Sequence, residues 1–189
     1  SFHCPMRKEQ VKWEESDVFN PAATVKDGKI VVLYRAEDNS AQGIGKRTSR
    51  IGYAESADGV TMKRLDSPVL FPGGDEFESI ECPGGCEDPR VAMTEDGLYV
   101  MLYTAWNRKT PRLAVATSKD LKNWTKHGLA FEKAYDGRFA RIATKSASIL
   151  TKVKGGKLVI DKVDGKYFMY WGEYAVHAAT SDNLTDWYP

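Results

Sequence analysis

Three segments of the chain share one pattern of hydrophobic and polar positions. Each opens on an Asp-Gly pair and continues as a run of β-branched and aromatic residues: DGKIVVLYRA (27–36), DGLYVMLYTA (96–105) and DGKYFMYWGE (164–173). An Asp-Gly pair is a strong hairpin signal, and short apolar runs of this kind are typical of buried strands. The glycines Gly28, Gly97 and Gly165 are separated by 69 and 68 residues. The pattern therefore predicts a repeated β-unit.

A second set of segments repeats at nearly the same interval. These segments read AESADGVTM (54–62), ATSKDLKNW (116–124) and ATSDNLTDW (179–187). Their serines, Ser56, Ser118 and Ser181, lie 62 and 63 residues apart. Each segment has a polar turn, a hydrophobic anchor and then Met or Trp at a fixed offset. This order predicts a strand, a turn and a further strand in each repeat.

Strong strands, regular turn signals and almost no helical periodicity predict an all-β fold. A repeat of this length favours β-propeller blades of four antiparallel strands over a sandwich, which gives no reason for such an interval. Propellers close with about four to eight blades. The chain has three repeats and ends at TDWYP within the third. We therefore expect residues 1–189 to form a single, C-terminally incomplete β-propeller domain of about three blades.

Composition excludes several classes of partner. Lys and Arg total 27 against 26 Asp and Glu, for a net charge of +1, which is not the strongly basic surface of a nucleic-acid-binding protein. No apolar run approaches the roughly 20 residues that cross a bilayer. The three cysteines, Cys4, Cys82 and Cys86, do not form an even disulfide set, and CPGGC lacks zinc-site spacing. The sequence predicts buried or loop thiols and neither a metal nor another cofactor.

Residues at which the repeats differ are the candidates for chemistry, because packing requires only what the repeats share. Antiparallel pairing around each Asp-Gly turn places the start of the first strand beside the end of the second. Asn20 should then lie opposite Arg35, and Asp88 occupies the matching start in the second repeat. Glu173 stands where the sister repeats have alanine. Two acids, an arginine and an amide at one rim suit a sugar, whose hydroxyls they can bind and whose bond they can protonate.

Each of these residues also has a purely structural interpretation. Asp88 before a proline can initiate a turn, and Arg90 can pair with Glu87 on the surface. Glu173 can be a solvated strand end. The aromatic residues that share one position of the repeat are expected in the core rather than as sugar platforms, and they are Tyr34, Tyr103 and Trp171.

Six motifs in order resemble glycoside hydrolase family 130. They are FNPAA (19–23), LYRAED (33–38), SRIGYAESADG (49–59), GGCEDPR (84–90), YTA (103–105) and ATSKDLKNW (116–124). Members of that family are five-bladed β-propellers that act on β-mannosides. The resemblance implies that Asp88 gives a proton to the glycosidic oxygen, directly or through a sugar hydroxyl. It also implies that Asn20, Arg35 and Asp38 line the mannose pocket, with assistance from Arg50 and Arg90.

The same family contains phosphorylases and hydrolases, and the third repeat bears on the difference. Family phosphorylases carry an Arg-Asn pair at the start of this blade, where the chain has Lys145 and Ser146. They carry a His-Arg-Pro run at the end of its second strand, where the chain reads YWGE and ends on Glu173. A carboxylate repels phosphate but can polarise water. The resemblance therefore favours the hydrolase branch, although Lys145 can still bind phosphate as a point charge.

The sequence leads to an inverting, exo-acting β-mannosidase in which Asp88 is the acid and Glu173 activates water. Their carboxyl groups should then lie roughly 6.5–9.5 Å apart. The alternatives are a mannoside phosphorylase and a sugar-binding propeller without catalysis. A furanosidase of the invertase group is disfavoured because its NDPNG opening is absent at FNPAA. A homo-oligomer is compatible with the sequence, as is either the cytoplasm or the periplasm for a soluble, bacterial-type protein.

Overall fold

The chain folds almost entirely into strands. A computed structural model describes residues 1–189, with 49% of them in strands and 4% in helix, which confirms the all-β prediction. The single α-helix, α1, covers Glu78–Glu81, and a 3₁₀ turn covers Arg138–Arg141. No helix of this structure has the length and apolar character that crossing a bilayer requires. The strands are β1 Phe2–Cys4, β2 Glu9–Val11, β3 Asp17–Lys26, β4 Lys29–Glu37, β5 Ser49–Ser56, β6 Lys63–Arg64, β7 Gly85–Met93, β8 Tyr99–Trp106, β9 Pro111–Ser118, β10 Thr125–Leu129, β11 Ala147–Ile149, β12 Thr151–Lys154, β13 Lys157–Ile160, β14 Lys162–Val163, β15 Lys166–Trp171, β16 His177–Ser181 and β17 Trp187–Tyr188.

The strands group into two compact units. Unit 1 comprises residues 1–89 and 105–109, and unit 2 comprises residues 90–104 and 110–189. None of the sheets closes on itself. The single propeller domain, its blade count and its incomplete end therefore stay predictions.

Unit 1 is built on the antiparallel strands β3, β4 and β5, with β6 added beside β5. The turn between β3 and β4 is Asp27-Gly28, with positive φ angles at both residues, as the hairpin signal predicted. The register pairs Phe19, rather than Asn20, with Arg35, because the pairing shifts between Phe19 and Ala22. The bulge inserts Asn20 beside the expected position and turns its side chain out of the regular ladder.

A small aromatic core supports the face of β4 that points away from Arg35. Trp13 stacks on Tyr34 with 6.2 Å between ring centroids, and the Tyr34 hydroxyl donates to a carboxylate oxygen of Glu14 at 3.0 Å. Burial and the charge of Glu14 raise the pKa of Tyr34. Gly52 lies so close to this ring that an added Cβ would be 2.3 Å from it. Since side chains alternate along a strand, this packing directs Arg35 and Glu37 to the opposite face.

Unit 2 contains two groups of strands around one apolar core. One group has the order β10-β9-β8-β7, and the other has the order β11-β15-β16-β17 with β14 against β15. A further hairpin, β12–β13, turns at Gly155-Gly156. The core includes Val100, Leu102, Leu113, Val115, Phe131, Met169, Trp171, Leu184 and Trp187. Tyr34, Tyr103 and Trp171 are all buried, which confirms their predicted burial, although the ring of Trp171 also lines a groove of unit 2.

The three serine turns have one geometry. In each, the serine hydroxyl oxygen accepts the backbone N–H groups two and three residues later: Ser56 at 3.3 and 2.9 Å, Ser118 at 3.1 and 2.8 Å, and Ser181 at 3.1 and 2.9 Å. The residue three positions after each serine has a positive φ angle, and these residues are Gly59, Leu121 and Leu184. Because a serine side chain closes each turn, the repeat seen in the sequence is a repeat of local hydrogen bonding.

Two glycines set the position of β7 against β5. The Ser49 N–H donates to the Gly84 carbonyl at 2.8 Å, and Ser49 pairs with Gly85 in parallel. A Cβ on Gly85 would lie 2.0 Å from the Ser49 carbonyl oxygen, and one on Gly84 would lie 2.3 Å from Trp106. The chain must therefore have glycine at both positions for the acidic pair that follows to reach β4 and β5.

Substitution of Gly85 by alanine tests this close approach. Gly28→Ala is the matched control, because Gly28 is also in unit 1 and has a positive φ of 75° but no atom within 4 Å of its added Cβ. We expect Gly28→Ala to cost about 1–2 kcal/mol through backbone strain alone. Gly85→Ala should cost a further ~1–3 kcal/mol because the backbone of β5 must move. Equal midpoints of thermal unfolding for the two variants would contradict this account.

Candidate active site

Asp88 and Asn20 meet in unit 1 through an unusual backbone conformation that both share. Each precedes a proline, and each has a left-handed backbone, with φ of 50° and 46°. This region is uncommon outside glycine, although Asn and Asp enter it more readily than other residues. The Asn20 amide Nδ2 donates to Asp88 Oδ1 at 2.8 Å. The two strained residues thus form one polar contact between β3 and β7, and strained residues of this kind cluster at functional sites.

Arg35 is the centre of this polar cluster. It is only 3% exposed, and its Nη1 donates to Asp88 Oδ1 at 3.0 Å. Its Nη2 contacts Glu37 Oε1 at 2.5 Å and Glu87 Oε1 at 2.8 Å, and its Nε donates to Ser49 Oγ at 3.1 Å. Strands β4, β5 and β7 therefore each supply a partner of one guanidinium group.

The surrounding charges keep Arg35 positively charged. Burial by itself would lower the pKa of the guanidinium, but the charges of Glu87 and Asp88 and the hydrogen bond to Glu37 outweigh burial and raise it. The aromatic ring of Phe19 covers the guanidinium, with 4.6 Å from Cζ to the ring centroid. A charged, oriented donor therefore lies directly beside the Asp88 carboxylate.

Asp38 and Arg50 form a second, fully buried pair in unit 1. Arg50 Nη1 donates to Asp38 Oδ2 at 2.9 Å, while the backbone N–H groups of Ser40 and Thr48 donate to Oδ1 at 3.0 and 3.3 Å. Arg50 Nη2 also donates to the thiol sulfur of Cys4 at 3.2 Å. Burial would raise the pKa of Asp38, but the hydrogen bonds from Ser40 and Arg50 and the Arg50 charge lower it. Asp38 is 3% exposed and Arg50 is not exposed.

Lys145 and Glu173 lie together in unit 2. Lys145 Nζ is 3.8 Å from Glu173 Oε1, and the Gly172 N–H donates to the Lys145 carbonyl at 3.0 Å. Both side chains line an open groove of about 680 Å³. Rings from Phe139, Trp171, Tyr174 and His177 also line it. A groove of this kind can hold a ring-shaped polar ligand between aromatic faces and a few charged groups.

The predicted site residues therefore fall into separate clusters. Asn20, Arg35 and Asp88 form one hydrogen-bonded network, Asp38 and Arg50 form a second, and Lys145 and Glu173 share the groove of unit 2. Arg90 is exposed on β7. Their roles toward a ligand stay predictions.

Two glutamates of the cluster were not predicted from the sequence. Glu87, whose structural interpretation was a surface partner of Arg90, is 5% exposed and contacts Arg35. Glu37 is buried and also contacts Arg35. Strand alternation was the available signal for Glu37, because residues two apart on β4 share a face. No local signal indicated Glu87, since only the approach of β7 to β5 brings it to Arg35.

The lowered pKa of Asp38 predicts a pH-dependent contribution to stability. Folding favours the ionised form, so the contribution is present above the unfolded pKa of about 3.9 and is lost as the pH falls through the lower folded pKa. We expect Asp38→Asn to reduce the free energy of unfolding at pH 7 by about 3–5 kcal/mol, because it leaves a buried Arg50 charge without its partner.

Denaturant unfolding from pH 7 to pH 3 measures this difference, which should shrink below about pH 4. The exposed Asp96→Asn is the control and should change stability by less than about 0.5 kcal/mol. A difference between wild type and Asp38→Asn that stays constant over this pH range would contradict the assignment.

Comparison with known sequences gives a match over nearly the whole chain. A family model described as beta-1,4-mannooligosaccharide phosphorylase, Glyco_hydro_130, matches residues 5–188. A 1,2-beta-oligomannan phosphorylase of Thermoanaerobacter sp. (strain X514) is 34% identical over 188 residues, which cover 97% of this chain and 55% of that protein. The chain spans about half the length of the curated relatives it matches.

Solved structures agree closely with the fold. A protein of Bacteroides ovatus ATCC 8483, described provisionally as a glycoside hydrolase, is 78% identical with a TM-score of 0.95, over 100% of this chain and 53% of that one. A second structure, 63% identical with a TM-score of 0.97, matches over 98% of this chain and 52% of its own. It is described with the statement that the GH130 family of mannoside phosphorylases contains glycoside hydrolases that target beta-1,2 mannosidic linkages in Candida mannan.

Proposed function

The chain belongs to glycoside hydrolase family 130, and from this premise we propose that the protein cleaves terminal β-mannosides, with β-1,2 linkages as the first candidates. The linkage is supported by the names of both curated relatives and by the description of the 63% identical structure. Repeats at a constant interval, each with an equivalent hairpin and serine turn, support three blades of a five-bladed β-propeller.

The observation that carries the proposal is that Asp88 Oδ1 accepts two hydrogen bonds. That oxygen accepts hydrogen bonds from Asn20 Nδ2 and Arg35 Nη1. With both donors on Oδ1, an acidic proton on Asp88 would be carried by Oδ2. The two donors fix the orientation of the carboxyl group, and together with the GGCEDPR motif this supports the proposed role of Asp88, which is proton donation to the glycosidic oxygen, directly or through a sugar hydroxyl. Asn20 and Arg35 would also orient the terminal mannose beside that carboxyl group.

The proposed roles of the remaining site residues differ with their burial. Asp38 and Arg50 are buried against each other, so both would lie beneath the mannose pocket and support it. Asp38 would lie closer to the bound mannose than Arg50. Exposed Arg90 would assist binding at the rim. None of these residues requires a metal or an organic cofactor for its role.

Hydrolysis by inversion is the reaction that we favour. Glu173 is half-exposed in the groove of unit 2 and can accept a proton from water there. A carboxylate at this place disfavours phosphate as the nucleophile.

Phosphorolysis is the second candidate, and two observations favour it. Lys145 lies in the same groove, 3.8 Å from Glu173, and both curated relatives are named phosphorylases. A single lysine binds phosphate as a point charge, without the bidentate hydrogen bonds that arginine forms. Because Lys145 already faces a carboxylate, it would have to turn from Glu173 toward the anion.

Incubation with β-1,2-mannobiose in the presence and absence of inorganic phosphate separates these two reactions. We expect free mannose as the only product in both incubations, because water is the proposed nucleophile. Anion-exchange chromatography measures mannose and mannose-1-phosphate separately. Mannose-1-phosphate that forms only when phosphate is added would overturn the hydrolase assignment in favour of the second candidate.

Asp88→Asn tests the proposed acid. The variant keeps the side-chain volume and the acceptor oxygen but cannot give a proton, so we expect kcat to fall about 10²–10⁴-fold. Asp96→Asn, an exposed aspartate in a hairpin turn, is the control and should retain full turnover. Unchanged kcat in Asp88→Asn would exclude Asp88 as the acid. Binding of mannobiose by a wild-type protein that shows no turnover would instead indicate a non-catalytic sugar-binding propeller.

A further inference from the structure

Glu37 is a buried charge that the proposed reaction does not use. It follows Arg35 by two residues on β4, so both side chains lie on one face of the strand. Glu37 is not exposed at all, and its Oε1 lies 2.5 Å from Arg35 Nη2 and 3.1 Å from Ser49 Oγ. A carboxylate without exposure cannot touch a sugar, so any role of Glu37 must act through a neighbour.

The contacts of Arg35 show what that role can be. A guanidinium group is planar and rigid, and fixing two of its nitrogens fixes the direction of the third. Nη2 is held by Glu37 and Glu87, and Nε is held by Ser49. The remaining nitrogen, Nη1, is thereby directed at Asp88 Oδ1.

Within this arrangement the charge of Glu37 acts mainly on Arg35. Its second oxygen, Oε2, has no hydrogen-bond partner, and the nearest cationic atom is Arg47 Nη1 at 3.6 Å. Burial of an ionised carboxylate is costly unless a close partner offsets it. The 2.5 Å contact with Arg35 is the closest such partner, so the two charges stabilise each other's position.

We infer that Glu37 is a positioning residue, which holds the Arg35 guanidinium so that Nη1 stays hydrogen-bonded to Asp88 Oδ1. The kinetic consequence rests on the proposed function of Asp88. The structural consequence does not, because it concerns only the direction of Arg35.

A crystal structure of Glu37→Gln tests the structural consequence. Glutamine keeps the shape and one acceptor oxygen but removes the charge, so the variant should fold. We expect Arg35 to turn toward Glu87, with the distance from Nη1 to Asp88 Oδ1 rising beyond about 3.5 Å, the limit of a hydrogen bond. Arg35 in its original position in Glu37→Gln would overturn the inference. Glu37→Asp, which keeps the charge but shortens the side chain, gives the same measurement if Glu37→Gln does not fold.

Kinetics on β-1,2-mannobiose test the consequence for catalysis. We expect Glu37→Gln to lower kcat/KM about 10–100-fold, because small misplacements of a positioned group have effects of this size. Glu55→Gln is the matched control, since it removes another glutamate charge from unit 1, one that pairs with Lys29 at 2.6 Å, and it should leave kcat/KM unchanged.

The double variant distinguishes positioning from a general loss of structure. If Glu37 acts through Arg35, then Glu37→Gln should lower kcat/KM no further in an Arg35→Ala background. Two losses that multiply would overturn the inference. A wild-type protein without turnover on any β-mannoside would refute the proposed function, and the crystal structure of Glu37→Gln would still decide the positioning role.

Discussion

The architecture of unit 1 depends on one buried cation and the anions that surround it. Burial of the Arg35 charge is costly unless polar partners surround it, and β4, β5 and β7 supply these partners as Glu37, Ser49 and Glu87. Each strand must therefore arrive in register with the others, because a shift of one residue would leave a charge buried and unpaired. The same requirement brings Asp88 to the guanidinium. The interaction that organises the strands is thus also the one that orients the candidate acid.

Backbone geometry around this cluster follows from what the cluster requires. Gly84 and Gly85 let β7 approach β5 at a distance that no side chain would allow. Immediately afterwards Asp88 adopts a left-handed backbone, as Asn20 does on β3. Both conformations cost free energy, which the buried contacts of Arg35 offset. In the motif GGCEDPR, the two glycines therefore allow β7 to approach β5, and the two acids contact Arg35.

The third repeat shows how one backbone pattern can present different chemistry. Ser146 has a φ of 56° and directly precedes β11, so it occupies the position that Asn20 and Asp88 hold in the first two repeats. The positive φ angle is retained at all three positions, while the side chain changes from amide to carboxylate to hydroxyl. Beside it, Lys145 and Glu173 share a groove lined by aromatic rings. The repeats thus preserve hairpins and serine turns, which are structural, and vary the residues that we propose as ligand contacts.

The sequence by itself determined the all-β class, the hairpins at the Asp-Gly turns, the serine turns and the buried aromatic position, because each depends on neighbouring residues and on strand periodicity. It also indicated Asn20, Arg35, Asp88 and Glu173 as residues of one rim, and the structure shows the first three in one hydrogen-bonded network. Only the tertiary structure decided that Asn20 lies in a bulge, that Asp38 and Arg50 are buried against each other, and that Glu37 and Glu87 hold Arg35. The bulge and the buried pair arise from how β3, β4 and β5 pair with one another, whereas the contact of Glu87 depends on the approach of β7 to β5, dozens of residues away in sequence, which leaves no local pattern.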